Sequence, residues 1–316
     1  MQRTKRQVKN PRKQGVPLTE AKPDASASAL RHLICDPEMA FLMEAHNAIS
    51  ARIAGEAGFK ALWASSLTIS ASMGLRDANE LTWTESLDLV SAMVDTVDIP
   101  VLMDADSGYG DFNILSRFVR KACGRGVAGI CIEDKLFPKI NSFAPVKQTL
   151  ADIGEFSHKI SAAKDNQTKD DFLVVARTEA FVTGAGMDAA LERANAYVDA
   201  GADAVLVQSK KSVPDELVAF GNAWDRDVPL IAVPTTYPDV CAETLQNAGV
   251  TNIIWANHSM RASIEAMRNV TKALFDQRSS AKISHNIASI EDIFELTDMK
   301  DLLVAGEEQR AGQQDD

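Results

Sequence analysis

IPVLMDADSGYGDFNILSRFVRKACGRGVAGICIED, residues 99–134, is the stretch whose pattern decides the architecture. It opens and closes on apolar runs, IPVLMDAD (99–106) and AGICIED (128–134), that end in carboxylates and flank a helix-like segment finished by Arg125-Gly126-Val127. A strand that is apolar on both faces has to be covered on both, which is the condition of a parallel sheet built from βαβ units. The same alternation continues on either side. FLMEA (41–45), KALWAS (60–65), FLVVAR (172–177), DAVLVQ (203–208), PLIAVP (229–234) and NIIWA (252–256) bring the candidate strands to eight. Between them lie segments of helical spacing, such as Leu191, Ala194, Tyr197 and Val198. The glycines of AGF, RGV, AGA and AGV, just before strands two, four, six and eight, predict left-handed ends to the preceding helices. Eight βα units with right-handed crossovers spell an α/β chain folded as a (β/α)8 TIM-type barrel over residues 29–276.

The flanks have a different composition. Residues 1–28 are basic, contain proline and carry almost no large apolar groups, so a disordered basic tail is expected. An organelle-targeting helix is opposed by Pro11 and Pro17. Residues 277–305 are expected to form a C-terminal helical segment: SIEDIFELTDMKDLLVA (289–305) carries more apolar surface than a solvated tail needs, so it should pack on the barrel or on a neighbouring subunit. Residues 306–316 have the composition of a frayed tail.

The formal net charge of −11 argues against nucleic acid or an anionic membrane as partner, so an anionic substrate would need local cations or a bound metal. No apolar run is long enough to span a bilayer. Cys35, Cys123, Cys131 and Cys241 form no CxxC pair, which suits a reducing, cytoplasmic setting.

In such a barrel the chemistry sits at the carboxyl ends of the strands. Asp104, Asp106 and Glu133 lie there, and three converging carboxylates repel one another unless protonated or neutralised; hard oxygen ligands select Mg2+, with Mn2+ as the alternative. For Asp106 and for Asp134 a helix-capping role stays open. Ser65 and Ser66 are placed to hold an anion, or are simply small residues at a strand end. Arg177 emerges from the barrel wall, where its guanidinium can grip an oxyanion or pair with Glu179 or Glu133. His46 and His258 are expected to hold loop backbone. KLFPKINS (135–142) follows Glu133 and has the make-up of a lid that brings cationic and hydrogen-bonding groups over a substrate. DSGYG (106–110) lacks phosphate-loop spacing and is expected to be a tight turn.

The landmarks MEAHNAISARI, LWASSLTISASMGLRDANE, LMDADSGYGDFN, IEDKLFPKINS, VARTEAF and IIWANHSMRAS closely resemble the phosphoenolpyruvate mutase family of the isocitrate lyase superfamily, across about residues 40–275. The resemblance implies interconversion of phosphoenolpyruvate and phosphonopyruvate, a small phosphorylated or phosphonylated 2-oxo acid, in a homo-oligomer that is a dimer of helix-swapped dimers. It further implies Mg2+ held by Asp104 largely through water, with Asp106 and Glu133 orienting that water. Ser65 with the backbone of Ser66 and Leu67 would hold the substrate carboxylate, and Trp63 would pack on the pyruvyl unit. Arg177 and Asn141 would hold the migrating phosphoryl group, Lys139 and Ser142 would close the lid, and Asp77 would lie near the reacting centre.

The lyases of the superfamily carry a lid cysteine that this chain lacks, and phosphonopyruvate hydrolases tend to have threonine where it has Asn141. The chain departs from the family at Gln208, where histidine is usual, at WASS, and after Ser142, where a glycine-rich segment is expected. Glutamine still donates a hydrogen bond but carries no positive charge. Phosphonopyruvate hydrolysis and a catalytically silent oxo-acid-binding relative are the competing readings.

Overall fold

In the computed structural model, which describes residues 23–312, eight short strands close on themselves. They are β1 (Ala40–Ala45), β2 (Ala61–Ala64), β3 (Val101–Asp104), β4 (Gly129–Glu133), β5 (Leu173–Thr178), β6 (Ala204–Val207), β7 (Leu230–Ala232) and β8 (Val250–Trp255). Every neighbouring pair is parallel, and β8 returns to β1 in the register Phe41 to Ile253. The expected (β/α)8 barrel is thus present, each strand overlapping the run that predicted it.

Strand periodicity sorts the side chains. Leu42, Trp63, Leu102, Cys131, Val175, Leu206, Ile231 and Ile254, one from each strand, meet in a single cluster, which is possible only inside the barrel. Their neighbours Leu62, Met103, Ile130 and Val174 point outward against helices α4 (Trp83–Thr96), α5 (Phe112–Gly124) and α6 (Ile153–Asn166). Local signals set the helix starts. Thr82 and Glu85 form a capping box on α4, and Asp111 and Asp152 cap α5 and α6. Since those two aspartates do the capping, Asp106 and Asp134 are free of that role. The four glycines expected to end helices all have positive φ.

The amino-terminal expectation needs correction. Helix α1 spans Pro23–Cys35, so residues 23–28 are not a disordered tail; the rest of that expectation, residues 1–22, lies outside the described residues. Ala27, Leu30 and Ile34 are fully buried, and Leu30 and Ile34 join the cluster inside the barrel, closing its end. These apolar groups are spaced by three and four residues, a helical stripe hidden in sequence by the polar residues before it.

The chain divides into two compact units: Ala21–Asn269, which holds all the strands, and a second whose described part is 270–312. Helix α11 (His258–Gln277) runs from one into the other, and Met260 is its one buried residue. The expected stretch 289–305 is two helices, α12 (Ile290–Leu296) and α13 (Met299–Gly312), separated at Asp298, whose φ of 53° is left-handed. Residues 306–312, expected to fray, complete α13; 313–316 lie outside the described residues. Among the described residues no helix is long and apolar enough to cross a membrane.

If α1 belongs to the core, Leu30→Ala will lower unfolding free energy by about 2–5 kcal/mol, the usual cost of a buried leucine cavity. Denaturant titration reads this directly, and a loss below about 1 kcal/mol would return α1 to the status of a loose tail.

Candidate active site

The strands deliver their terminal polar residues to one mouth, and loops close over it. A cavity of about 50 Å³ there is lined by Trp63, Ser65, Ser66, Leu67, Asp77, Asp104, Glu133, Lys139, Asn141, Ser142, Arg177 and Gln208, with Phe143, Thr235 and Asn257. These are all of the site residues expected from the sequence except Asp106, which stands beside the cavity behind Lys139.

At the end of β2, Ser65 precedes α3 (Ser66–Ser72) but makes no capping bond with its side chain. Ser66 donates from both its amide (3.3 Å) and its hydroxyl (2.8 Å) to Oδ2 of Asp104. The second serine therefore orients a carboxylate of the site. After β3 the DSGYG segment is the tight turn expected: Asp106 has φ of 51° and Tyr109 of 61°, and the carbonyl of Asp106 accepts the amide of Glu133 at 2.7 Å. Left-handed, non-glycine backbone of this kind is held only where surroundings over-determine it.

The segment 135–142 is folded shut. Lys139, 5 % exposed, pairs with Asp77 and, at 2.9 Å, with Oδ1 of Asp106. The side-chain amide of Asn141 donates to Asp77 at 2.6 Å, and its backbone amide donates to the carbonyl of Asp77. Ser142 donates to Glu179 at 2.7 Å and accepts from Arg177 at 2.9 Å. Lys135 donates to the carbonyl of Ile140 and lies 3.2 Å from Glu133. Arg177 makes the ion pairs left open for it, with Glu179 (2.6 Å) and Glu133 (3.4 Å), and also lines the cavity.

Behind this layer Asp134 accepts from Tyr197 (2.7 Å), Arg193 (3.1 Å), Thr178 (3.2 Å) and the amide of Glu179 (2.8 Å). His46 bonds to Glu44 at 2.7 Å, and Glu44 accepts the amides of Ser259 and Met260 at the start of α11. Burial and the nearby Arg261 push the imidazole of His258 down. The side-chain amide of Gln208 donates to the carbonyl of Ser209 at 3.1 Å.

Electrostatics follow from charge and burial. Burial pushes Glu133 up to about 7, although Arg177, Lys135 and Lys139 oppose the shift. Burial raises Asp106 as well, with Asp104 and Asp77 nearby adding to it, whereas the contacts of Asp77 with Lys139 and Asn141 outweigh burial and hold it low. Arg177, Lys135 and the bond from Ser142 likewise hold Glu179 low against burial. Five carboxylates, Asp77, Asp104, Asp106, Glu133 and Glu179, face three cations, Lys135, Lys139 and Arg177, an excess of two negative charges. Oε1 of Glu133 is buried, and the ammonium of Lys135 stands 3.2 Å from it. A hard divalent cation fits that excess and that oxygen donor set. Among the described residues no three acidic, His or Cys side chains are grouped to ligate an ion directly, and Asp106 is turned to Lys139 and Asn79, so the expected set would act on an ion through water.

Sequence reasoning missed Asn79. Its partners lie 27 and 60 residues away, and no local pattern marks it.

A closed (β/α)8 barrel with a charged, lid-covered cavity at the carboxyl ends of its strands is the architecture of a barrel enzyme for a small anion. The phosphoenolpyruvate phosphomutase family model matches residues 30–275, and the chain belongs to that family. It is 45% identical over 268 residues to the phosphoenolpyruvate phosphomutase of Tetrahymena pyriformis, covering 84% of this chain and 89% of that one. The crystal structure of phosphoenolpyruvate phosphomutase from Streptomyces platensis subsp. rosaceus superposes with a TM-score of 0.88 at 40% identity, over 90% of this chain and 99% of that one. A phosphonopyruvate hydrolase solved with oxalate and Mg2+ has a TM-score of 0.84 at 34% identity, over 88% and 97%.

Replacing the central lysine tests the electrostatics. Lys139→Met leaves Asp77 and Asp106 buried without their cation and should cost about 3–5 kcal/mol at neutral pH. Asp77 sits below its unfolded value of 3.8, so its contribution is full above that pH and lost as pH falls through the folded value. Lys139 sits well above 10.5, so its contribution is full below that pH and lost as pH rises through its folded value. The variant's deficit, measured by urea titration, should thus be largest between those limits and shrink toward pH 4, where the stranded carboxylates protonate. A deficit independent of pH would show that packing, not charge, is what the lysine contributes.

Proposed function

We propose that this chain is an isomerase that interconverts phosphoenolpyruvate and phosphonopyruvate. The observation that carries the reading is the cavity at the strand ends, in which an excess of negative charge meets Arg177 and the lid residues Lys139, Asn141 and Ser142. Asp104 would hold a divalent cation, Mg2+ with Mn2+ as the alternative, mainly through water, with Asp106 and Glu133 placed to orient that water. When bound, the cation neutralises the enolate charge that develops as the carbon–phosphorus bond breaks.

The chain's own residues position the rest. Ser65, with the backbone of Ser66 and Leu67, holds the substrate carboxylate, and Trp63 packs against the three-carbon unit. Arg177, Asn141 and Gln208 hold the phosphoryl oxygens, Lys139 and Ser142 keep the lid shut, and Asp77 anchors both Lys139 and Asn141. The carbon–phosphorus bond breaks and a phosphorus–oxygen bond forms to the enolate oxygen, with no water consumed. Phosphoryl transfer of this kind asks the protein for position and electrostatics more than for a nucleophile. The four free thiols suit a reducing, cytoplasmic setting.

Incubated with phosphonopyruvate and Mg2+ and followed by 31P NMR, the protein should yield phosphoenolpyruvate; inorganic phosphate as sole product would make it a hydrolase, and no turnover a silent binder. Excess EDTA should abolish the reaction. Because Glu133 takes up a proton near 7, apparent Mg2+ affinity should weaken by up to tenfold per pH unit below that value, and flat affinity from pH 5 to 8 would remove Glu133 from the metal's surroundings. Asn141→Ala should cost at least about a hundredfold in turnover with the fold intact, the scale of a lost transition-state donor.

We infer as well that the chain is a homo-oligomer, a dimer of dimers joined by exchanged helices. Met39, Phe41 and Trp255, on the outer face of the β8–β1 seam, line a groove of about 840 Å³, and Ile290, Ile293, Leu302, Leu303 and Val304 are exposed on α12 and α13. Sedimentation should give four chains, and removal of residues 278–316 should lower that number; a monomeric full-length chain would end this inference.

A further inference from the structure

Asn79 stands in the loop between α3 and α4, away from every strand end, yet it touches both the lid and the acidic cluster. Its backbone is left-handed, with φ of 56°, a conformation that only asparagine, aspartate and glycine adopt readily. Its side chain is used at both ends. Oδ1 accepts the backbone amide of Lys139 at 2.6 Å, and Nδ2 donates to Oδ2 of Asp106 at 2.8 Å. An amide N–H only donates and an ionised carboxylate only accepts, so a donor and an acceptor on one short arm are both required.

The other oxygen of Asp106 receives the ammonium of Lys139 at 2.9 Å. Lys139 is therefore held twice, by its backbone through Asn79 and by its side chain through Asp106 and Asp77. The turn after β3, the loop before α4 and the lid meet in one closed ring of polar contacts. One side chain thus contacts both the backbone of the lid and the carboxylate of Asp106.

We propose that Asn79 is the latch of this lid, a positioning residue that keeps water from the phosphoryl group in transit. The proposal rests on the mutase reading for its chemical consequence. With the latch intact, phosphorus passes from carbon to the enolate oxygen. With it broken, the oxygen of a water molecule bonds to phosphorus as the carbon–phosphorus bond breaks. One proton of that water stays on phosphate, the methylene carbon of the enolate takes a proton, and pyruvate and inorganic phosphate leave.

Two variants keep the left-handed backbone while removing parts of the latch. Asn79→Gly deletes the whole side chain, and Asn79→Asp turns an acceptor toward Asp106. Arg76→Ala is the control, since Arg76 is an exposed residue of the same loop that pairs with Glu80. Deuterium uptake over 136–148 is measured on each full-length protein with and without Mg2+, together with 31P NMR of the products from phosphonopyruvate. Both Asn79 variants should exchange this segment faster, and inorganic phosphate should rise roughly tenfold relative to isomerised product, the scale of one lost charge-assisted hydrogen bond. Arg76→Ala should match the parent. Parental uptake in either Asn79 variant, faster uptake with no rise in phosphate, or the same changes in Arg76→Ala would overturn the proposal. A parent protein that does not isomerise phosphonopyruvate removes the mutase reading alone, since uptake still decides whether Asn79 holds the lid.

Discussion

Lys139 is a buried ammonium flanked by the carboxylates of Asp77 and Asp106, and the mouth of the barrel is organised around that contact. Burying any one of these ions alone would cost several kcal/mol, so each is tolerable only with the others in place. The three come from separate segments: the loop after α3, the turn after β3 and the segment after β4. Their mutual need for neutralisation is what gathers those segments over the strand ends. Asn79 and Asn141 add hydrogen bonds that give the attraction direction.

A second buried group does comparable work beneath the first. Asp134 receives four donors, one of them the backbone amide of Glu179, and so fixes where β5 ends relative to β4. Glu179 in turn orients Arg177 and accepts from Ser142. The two networks meet at Ser142 and Lys135, which tie the far end of the lid to Glu133 and Glu179. The lid is thus gripped at both ends by carboxylates that belong to the barrel itself.

How much of this is legible in the sequence depends on how local the cause is. The strands carry their evidence within themselves, since apolar runs such as VLMD and GICIE report burial on both faces, and the barrel follows from their repetition. Asp104, Glu133 and Arg177 are visible because each terminates such a run. Helix α1 was hidden because its polar beginning masks a buried stripe of Ala27, Leu30 and Ile34, and the break at Asp298 because one left-handed residue leaves hydropathy unchanged. Asn79 was invisible for a different reason: its role exists only once the chain has brought together residues dozens of positions apart. The orientation of Asp106 toward Lys139 and Asn79 belongs to the same class of long-range effect.

The cavity is narrow, about 50 Å³, and the lid residues Lys139, Asn141 and Ser142 form part of its lining. On the proposed reading, moving the lid would separate Lys139 from Asp77 and Asp106, a cost that an incoming anion and a divalent cation together would offset: the cation would relieve the acidic cluster, and the phosphoryl oxygens would give Arg177 and Asn141 new partners. Neither alone balances the site, because the anion without the cation adds to an existing excess of negative charge. Gln208 sharpens this dependence, since an amide at the end of β6 contributes no positive charge to the balance. The chain's own charge arithmetic therefore favours an order in which the cation precedes the substrate and the lid closes last.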